Sequence, residues 1–376
     1  MISNYKISNF KLHDHTNISF KGLTILTGMN GMGKSSVIQS LVLLRQSFMS
    51  DDLDEGLNLK GDLCDGGTAM ELSCQSSNSN NLDINLEFTD QAPLAFSFTF
   101  PKDPMETFLP NAVPTSITKK TLSKYSLFNE NFQYLSAFRL GPQKIYGRDT
   151  SLVDKKRQIS KVAGQCEYTV NFLSRYGDEE IPVRELAVAD GSEGWGYKLR
   201  DQVKLWLRLI SPNIDFRIEN VSEDFRLSYL FDRKDNVKTM SISALHTGFG
   251  ITYVLPILVA ILSARKGALI IIENPEAHIH PEGQANMMRL MSMAVKNGIQ
   301  IVVETHSDHI INGALVAVKQ KELDKDMLSI SFFDRDEHLH VAQLHQLSIN
   351  DDGSIDNPPK GFFDQIDKDL EILTGF

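Results

Sequence analysis

Apolar side chains recur along this chain in two rhythms. Residues 5–12 (YKISNFKL) alternate roughly with period two, as on a strand with one buried face. Residues 23–27 (LTILT) are almost wholly apolar, as in a central strand covered on both sides. From residue 34 to 49 the spacing turns helical, with Val37, Ile38, Leu41, Val42, Leu44 and Phe48 along one broad face. Residues 51–134 change character: a polar tract, QSSNSNN, and short alternating runs, LDINLEF and FSFTF, are separated by Pro and Asn turns. They predict a β-rich insertion with an irregular loop around 100–125. Residues 151–236 look mixed, with a helix over 197–209. The strong pattern returns after residue 241. It predicts a helix over 253–263, a buried strand at 268–272 (ALIII), a helix over 282–295, a second buried strand at 299–303 (IQIVV) and another at 328–333. Strands alternating with helices predict a mainly parallel α/β sheet. No heptad run or internal repeat occurs, and a turn-rich linker (DDGSIDNPP) leads to a short amphipathic end.

Composition narrows the class. Hydrophobic residues make up 41% of the 376 and charged residues 23%, which excludes a disordered or fibrous chain. The length suits two domains, or one with large inserts, at about 150 residues each. The longest nearly apolar run, residues 249–262, is broken by Pro256 and falls short of the ~20 residues of a spanning helix. The start, MISNYKISNF, lacks a signal peptide's apolar stretch. Cys64, Cys74 and Cys166 lie far apart and suit a reducing compartment, so a cytoplasmic protein with no membrane partner is expected. A formal charge of −10 excludes a general polyanion binder. One stretch runs against it: from Lys119 to Lys161 ten Lys/Arg face three Asp/Glu, with Tyr125, Phe128, Phe132 and Tyr134 interleaved. Such a stretch is a candidate for DNA or RNA contact, or simply a set of solvated helix faces and loop charges.

The sharpest motif lies between the first buried strand and the first helix. Gly28-Met-Asn-Gly-Met-Gly-Lys-Ser35 matches G-x-x-x-x-G-K-[ST] in full. Gly28, Gly31 and Gly33 let the backbone wrap a phosphate with its amides pointing inward. The helix starting at Lys34 turns its N-terminus toward the same anion. Lys34 offers a mobile cation to the β- and γ-phosphates, and Ser35 a hydroxyl to Mg²⁺. Asn30 and Ser36 complete the candidate nucleotide contacts.

Two later strands end in chemistry. Residues 270–276 (IIIENPE) run into acids, and residues 301–308 (IVVETHSD) into a histidine. In a parallel sheet, ligands sit beyond the carboxyl ends of the strands, so loop, acids and histidine can face one Mg–nucleotide. Glu273 is the candidate Mg²⁺ ligand beside Ser35, Glu276 a second acid, and His306 a sensor of the γ-phosphate. For Glu273 a helix-terminal carboxylate, and for His306 a capping histidine, are the plainer alternatives. His278 and His280 lack the further ligands of a zinc site. No N-K-x-D guanine signature occurs.

Together the NFK near the start, TGMNGMGKSS, IIIENPEAHIHP and VVETHSD resemble the ABC/SMC-like branch of P-loop ATPases, and within it the RecF- and OLD-like group of AAA-type proteins. TGFGIT, from Thr247, lies where that family carries its signature motif. PPKGFFDQ resembles a C-terminal module of unknown function found in one subgroup. The resemblance implies an ABC/SMC-like head: a P-loop core formed by residues 1–50 and 236–345, a β-rich antiparallel lobe at 51–135, a mixed helical insertion at 136–235 and a tail at 346–376. It implies ATP and Mg²⁺ as cofactors, and two heads that sandwich ATP. Thr247 and Gly248 would then touch the γ-phosphate held by the other subunit, and Gln143 would link Mg²⁺ to motion of the lobe. One position departs from the family pattern: Asn274 stands where a catalytic general base usually follows the Mg²⁺-binding acid. Asparagine cannot take a proton from water at neutral pH. Either Glu276 substitutes, or hydrolysis is slow and ATP acts mainly as a dimerising switch.

The resemblance therefore implies an ATPase that forms a homodimer or higher oligomer and controls a separate effector, such as the nuclease of a Septu-like antiviral defence system. A DNA-stimulated repair ATPase of the RecF kind, or an ATP-bound scaffold with little hydrolysis, are the alternatives. OLD-type relatives often carry their own nuclease domain, for which the 70 residues after His306 are too few.

Overall fold

A computed structural model describes residues 1–376 apart from 115–116, 189–195, 234–237, 337, 364 and 375–376. Strands β1 (Ile2–Phe10) and β2 (His13–Ser19) form an antiparallel pair, and β3 (Leu23–Gly28) leads through the glycine loop into α1 (Lys34–Met49). After β4 (Asn81–Phe88), β5 (Leu94–Thr99) and the short β6 (Phe132–Leu135) come α2 (Thr169–Tyr176) and α3 (Leu199–Ile210). A hairpin of β7 (Ile214–Val221) and β8 (Asp224–Phe231) precedes α4 (Phe249–Leu262). The alternating part follows: β9 (Leu269–Glu273), α5 (Pro281–Lys296), β10 (Gln300–Glu304), α6 (Asp308–Lys319), β11 (Leu328–Arg335) and β12 (Ala342–Gln346). A last helix, α7 (Gln365–Thr374), leaves Leu370, Ile372 and Leu373 exposed.

The central sheet has the order β12-β11-β3-β10-β9-β6, parallel except for β12. Its inner strands are apolar throughout because both faces are covered. Ile25, Ile270, Ile272, Ile301 and Val303 enter one core, with α4, α5 and α6. Leu26, Leu269, Ile271 and Val302 enter the other, with α1 and the antiparallel lobe. The period-two split of each strand thus joins two cores through one sheet. The helix predicted over 253–263 begins earlier, at Phe249, and runs through Pro256, which deletes one internal bond without ending the helix.

Sheet membership cuts across the sequence segments. The antiparallel sheet has the order β2-β1-β4-β5, so Ile2–Phe10 pairs on one side with its neighbour β2 and on the other with Asn81–Phe88, far along the chain. Phe132–Leu135 joins the central sheet as its edge, beside β9. Local periodicity identifies a strand but carries no information on which distant strand completes its ladder. Among the described residues no helix is long and apolar enough to cross a membrane.

Candidate functional site

The glycine loop owes its path to backbone positions that side chains would obstruct. Gly28, Gly31 and Gly33 have φ of 134°, 76° and 99°, all in the left-handed half that favours glycine. A Cβ on Gly28 would stand 2.2 Å from the Phe333 carbonyl oxygen on β11, whereas one on Gly31 would meet nothing within 4 Å. The loop is thus pinned at its start and open at its crest. Gly33 opens α1 with no side-chain cap, which leaves that helix end to an incoming anion.

His13, absent from the sequence reading, supports the loop from β2. Its buried ring bonds the Gly33 carbonyl through Nε2 (2.9 Å) and the Thr16 hydroxyl through Nδ1 (2.9 Å). A carbonyl can only accept, so Nε2 carries the proton and Nδ1 accepts from Thr16. Burial pulls the ring's pKa down to about 4, against the Gly33 bond that raises it, so the ring is neutral.

Lys34 Nζ donates to the Gly28 (2.9 Å) and Met29 (2.6 Å) carbonyls, folded back over the loop. Burial lowers its pKa and the nearby Glu304 carboxylate raises it. Ser35 Oγ donates to Glu304 Oε1 at 2.6 Å. Glu304 ends β10 directly opposite Glu273, which ends β9. It is 4% exposed, and its Oε2 is buried with no partner. Burial pushes Glu304 up to about 7; the Ser35 bond and Lys34 oppose this, while Glu273 and Glu276 add to it.

Glu273, the expected Mg²⁺ ligand, is engaged on the other side. Its Oε1 accepts from the Tyr134 hydroxyl (2.9 Å) and its Oε2 from the Ala137 amide (3.0 Å), both on or just past β6. Burial raises its pKa, while these two bonds and Arg139 lower it. Arg139 is itself buried and donates to the carbonyls of Ser136 (2.8 Å), Glu273 (2.6 Å) and Asn274 (2.8 Å), with its guanidinium over the Tyr253 ring. It ties edge strand, acidic loop and α4 together.

Glu276 Oε1 accepts from the His306 amide at 2.9 Å, and its Oε2 is buried without a partner. The His306 ring lies by the Gly28 backbone and the Lys34 ammonium; burial, then that cation, lower its pKa. Gly28, Lys34, Ser35, Glu276 and His306 therefore form one cluster, with Glu304 at its centre. Asn30, Gly31 and Ser36 lie on the same loop and first helical turn, and Glu273 lines the cluster from the β9 side.

Thr247, Gly248 and Gln143 make their contacts elsewhere. Thr247 Oγ1 donates to the Ser243 carbonyl, and Gly248 caps α4 with open space where a Cβ would be. Phe249 is 47% exposed and stacks edge-on against His278. A Cβ on Gly141 would press into the Phe249 ring, and Gln143 bonds the Gly141 carbonyl and the Tyr146 hydroxyl. His280 caps α5, so the two histidines of HIHP serve different contacts. Among the described residues no cluster of three His, Cys, Asp or Glu is arranged as a metal cage.

In the basic stretch the interleaved aromatics point away from solvent. Tyr125, Phe128 and Phe132 are core residues, Tyr134 serves Glu273, Arg139 is buried and Lys119 pairs with Asp51. The four interleaved aromatics thus serve the core and Glu273, while Phe138 of the same stretch is exposed.

Glu304, Arg139, Tyr134 and His13 were missed as site residues. Glu304 alone left a signal: an acid closing an apolar strand two positions before His306.

The family described as "AAA domain, putative AbiEii toxin, Type IV TA system" matches residues 23–312, and "Protein of unknown function (DUF3696)" matches residues 323–373. No curated protein matches the chain. Solved structures that share the fold include two Smc heads. One is an Smc head bound to the C-winged helix domain of ScpA: 14% identity, TM-score 0.55, covering 92% of this chain and 98% of that one. The other is an Smc head with an extended coiled coil, bound to the C-terminal domain of ScpA derived from Pyrococcus furiosus: 12% identity, TM-score 0.52, covering 100% and 98%.

Proposed function

The chain belongs to this AAA-domain family and has the fold of an ABC/SMC-like P-loop ATPase, and from that premise we propose that it binds Mg–ATP at residues 28–36 and uses it to join two copies of itself. One observation carries the reading: a flexible cation, a serine hydroxyl and two unpartnered buried carboxylate oxygens meet at the ends of adjacent parallel strands. Acceptors left bare in a buried site suit a bound cation and an activated water.

When bound, Mg–ATP supplies the cleavable phosphoanhydride with its charge partly neutralised. The protein's part is positioning. The loop amides and the uncapped start of α1 would cradle the phosphates, and Lys34 would trade its two carbonyls for phosphate oxygens. His306 stands beside Lys34, where it would meet the γ-phosphate. Glu276, with Oε2 free, is the acid placed to orient a water, since Asn274 cannot act as a base. Turnover by such a site is slow, and the bound nucleotide works chiefly as a switch.

Thr247 and Gly248 present the start of α4 to the γ-phosphate of a second copy, a suitable anion partner for a helix N-terminus. The exposed Phe249, in the first turn of α4, supplies apolar surface for that contact. Gln143, packed near Phe249 through Gly141, relays the nucleotide state to the lobe. The dimer state in turn governs a separate effector, a nuclease in nucleic-acid-directed defence, in the cytoplasm. Light scattering with and without ATP and Mg²⁺ tests the core of this: the mass should double only when both are present, and a constant mass removes the switch.

A further inference from the structure

Two carboxylates end neighbouring strands in register, and they are not equivalent. Glu273 has both oxygens occupied, by the Tyr134 hydroxyl and the Ala137 amide. Glu304 has one oxygen on Ser35 and the other bare and buried. We propose, on the reading of residues 28–36 as a Mg–nucleotide site, that Glu304 is the carboxylate that holds Mg²⁺ with Ser35, while Glu273 is a positioning residue that fastens the edge strand β6 to β9.

Three features support this. First, a hydroxyl has one proton and two lone pairs. With its proton committed to Glu304, Ser35 keeps its lone pairs free for a cation. Second, Mg²⁺ takes one or two protein carboxylates and fills its octahedron from phosphates and water. Ser35 and one carboxylate are sufficient, and three acids in a cage are not required. Third, Glu304 pairs with Leu26 of the strand that feeds the loop, whereas Glu273 lies one strand further from it. The bare Oε2 then has a use, which a purely structural Glu304 would lack.

The test is a titration of a fluorescent ATP analogue in Mg²⁺ and in EDTA, with Glu304→Gln, Glu273→Gln and Ser35→Ala. Affinity in EDTA reads the phosphate loop alone, and the ratio of the two affinities reads the metal. Glu304→Gln should bind in EDTA like the wild type and lose about 10-fold or more of the Mg²⁺-dependent tightening, as Ser35→Ala should. Glu273→Gln should keep most of that ratio and lower the melting temperature instead. The proposal is overturned if Glu304→Gln retains the wild-type ratio, or if Glu273→Gln alone abolishes it. Absence of wild-type binding in both buffers would sink the nucleotide site itself, and this assignment with it. Should the Gln variant fail to fold, Glu304→Asp keeps the charge one methylene further back; a ratio equal to wild type in that variant counts against direct contact.

Discussion

Glu273 and Glu304 stand side by side across two parallel strands, yet their carboxylates serve opposite neighbours. Glu273 reaches outward to Tyr134 and Ala137 of the edge segment, and Glu304 inward to Ser35 of the phosphate loop. The row of strand ends is therefore divided: one acid binds the sheet to its edge, the other faces the ligand.

Tyr134→Phe removes one of Glu273's two donors and leaves a buried carboxylate oxygen bare. Loss of a hydrogen bond to a buried charged group costs about 1.5–3 kcal/mol. Chemical denaturation should show a lower midpoint with an unchanged slope.

Lys34→Ala deletes the cation that the phosphates would recruit. Two charge-assisted bonds lost correspond to on the order of 100-fold in nucleotide affinity or more. Calorimetric titration should show this in EDTA as well as in Mg²⁺, with little change in the melting temperature.

His13 couples the loop to pH. Its ring is neutral in the fold with a pKa near 4, against 6.5 when unfolded. The unfolded chain therefore takes up the proton first as pH falls. This contribution to stability is whole above pH 6.5 and is lost as pH drops to about 4, amounting to on the order of 3 kcal/mol. Melting curves between pH 7 and pH 4 should show a shallower decline for His13→Gln than for the wild type.

Asn274→Glu places a carboxylate where the family pattern has its base. If the base is what turnover lacks, single-turnover hydrolysis should accelerate; an unchanged rate leaves Glu276 as the sufficient acid. Asn274 has φ 45°, a left-handed conformation that asparagine tolerates better than glutamate. The variant should thus be less stable by about 1 kcal/mol even where it is faster.

Thr247→Arg puts bulk and charge just before α4, on a side chain whose own bond is to the Ser243 carbonyl. Nucleotide binding by one copy should persist while the ATP-dependent doubling of mass disappears. Doubling that survives the change would show that α4 does not face the second copy's phosphate.

Much of this was legible in one dimension. The G-x-x-x-x-G-K-S spacing, the apolar runs at 23–27, 268–272 and 299–303, and the helical face of residues 34–49 depend on local geometry alone, because glycine conformation, strand alternation and helical period are properties of consecutive residues. Partnership was not legible. That residues 2–19 complete a sheet with residues 81–99, that Tyr134 and Arg139 brace an acid more than a hundred positions away, and that the aromatics of the basic stretch fill a core all depend on long-range closure. The same holds for the acids: Glu273 and Glu304 both end apolar strands, and only the lateral order β3-β10-β9-β6 put Ser35 within reach of one and Tyr134 within reach of the other. Which neighbour a strand-end side chain meets is set by sheet order, and sheet order is decided by the packing of the whole chain.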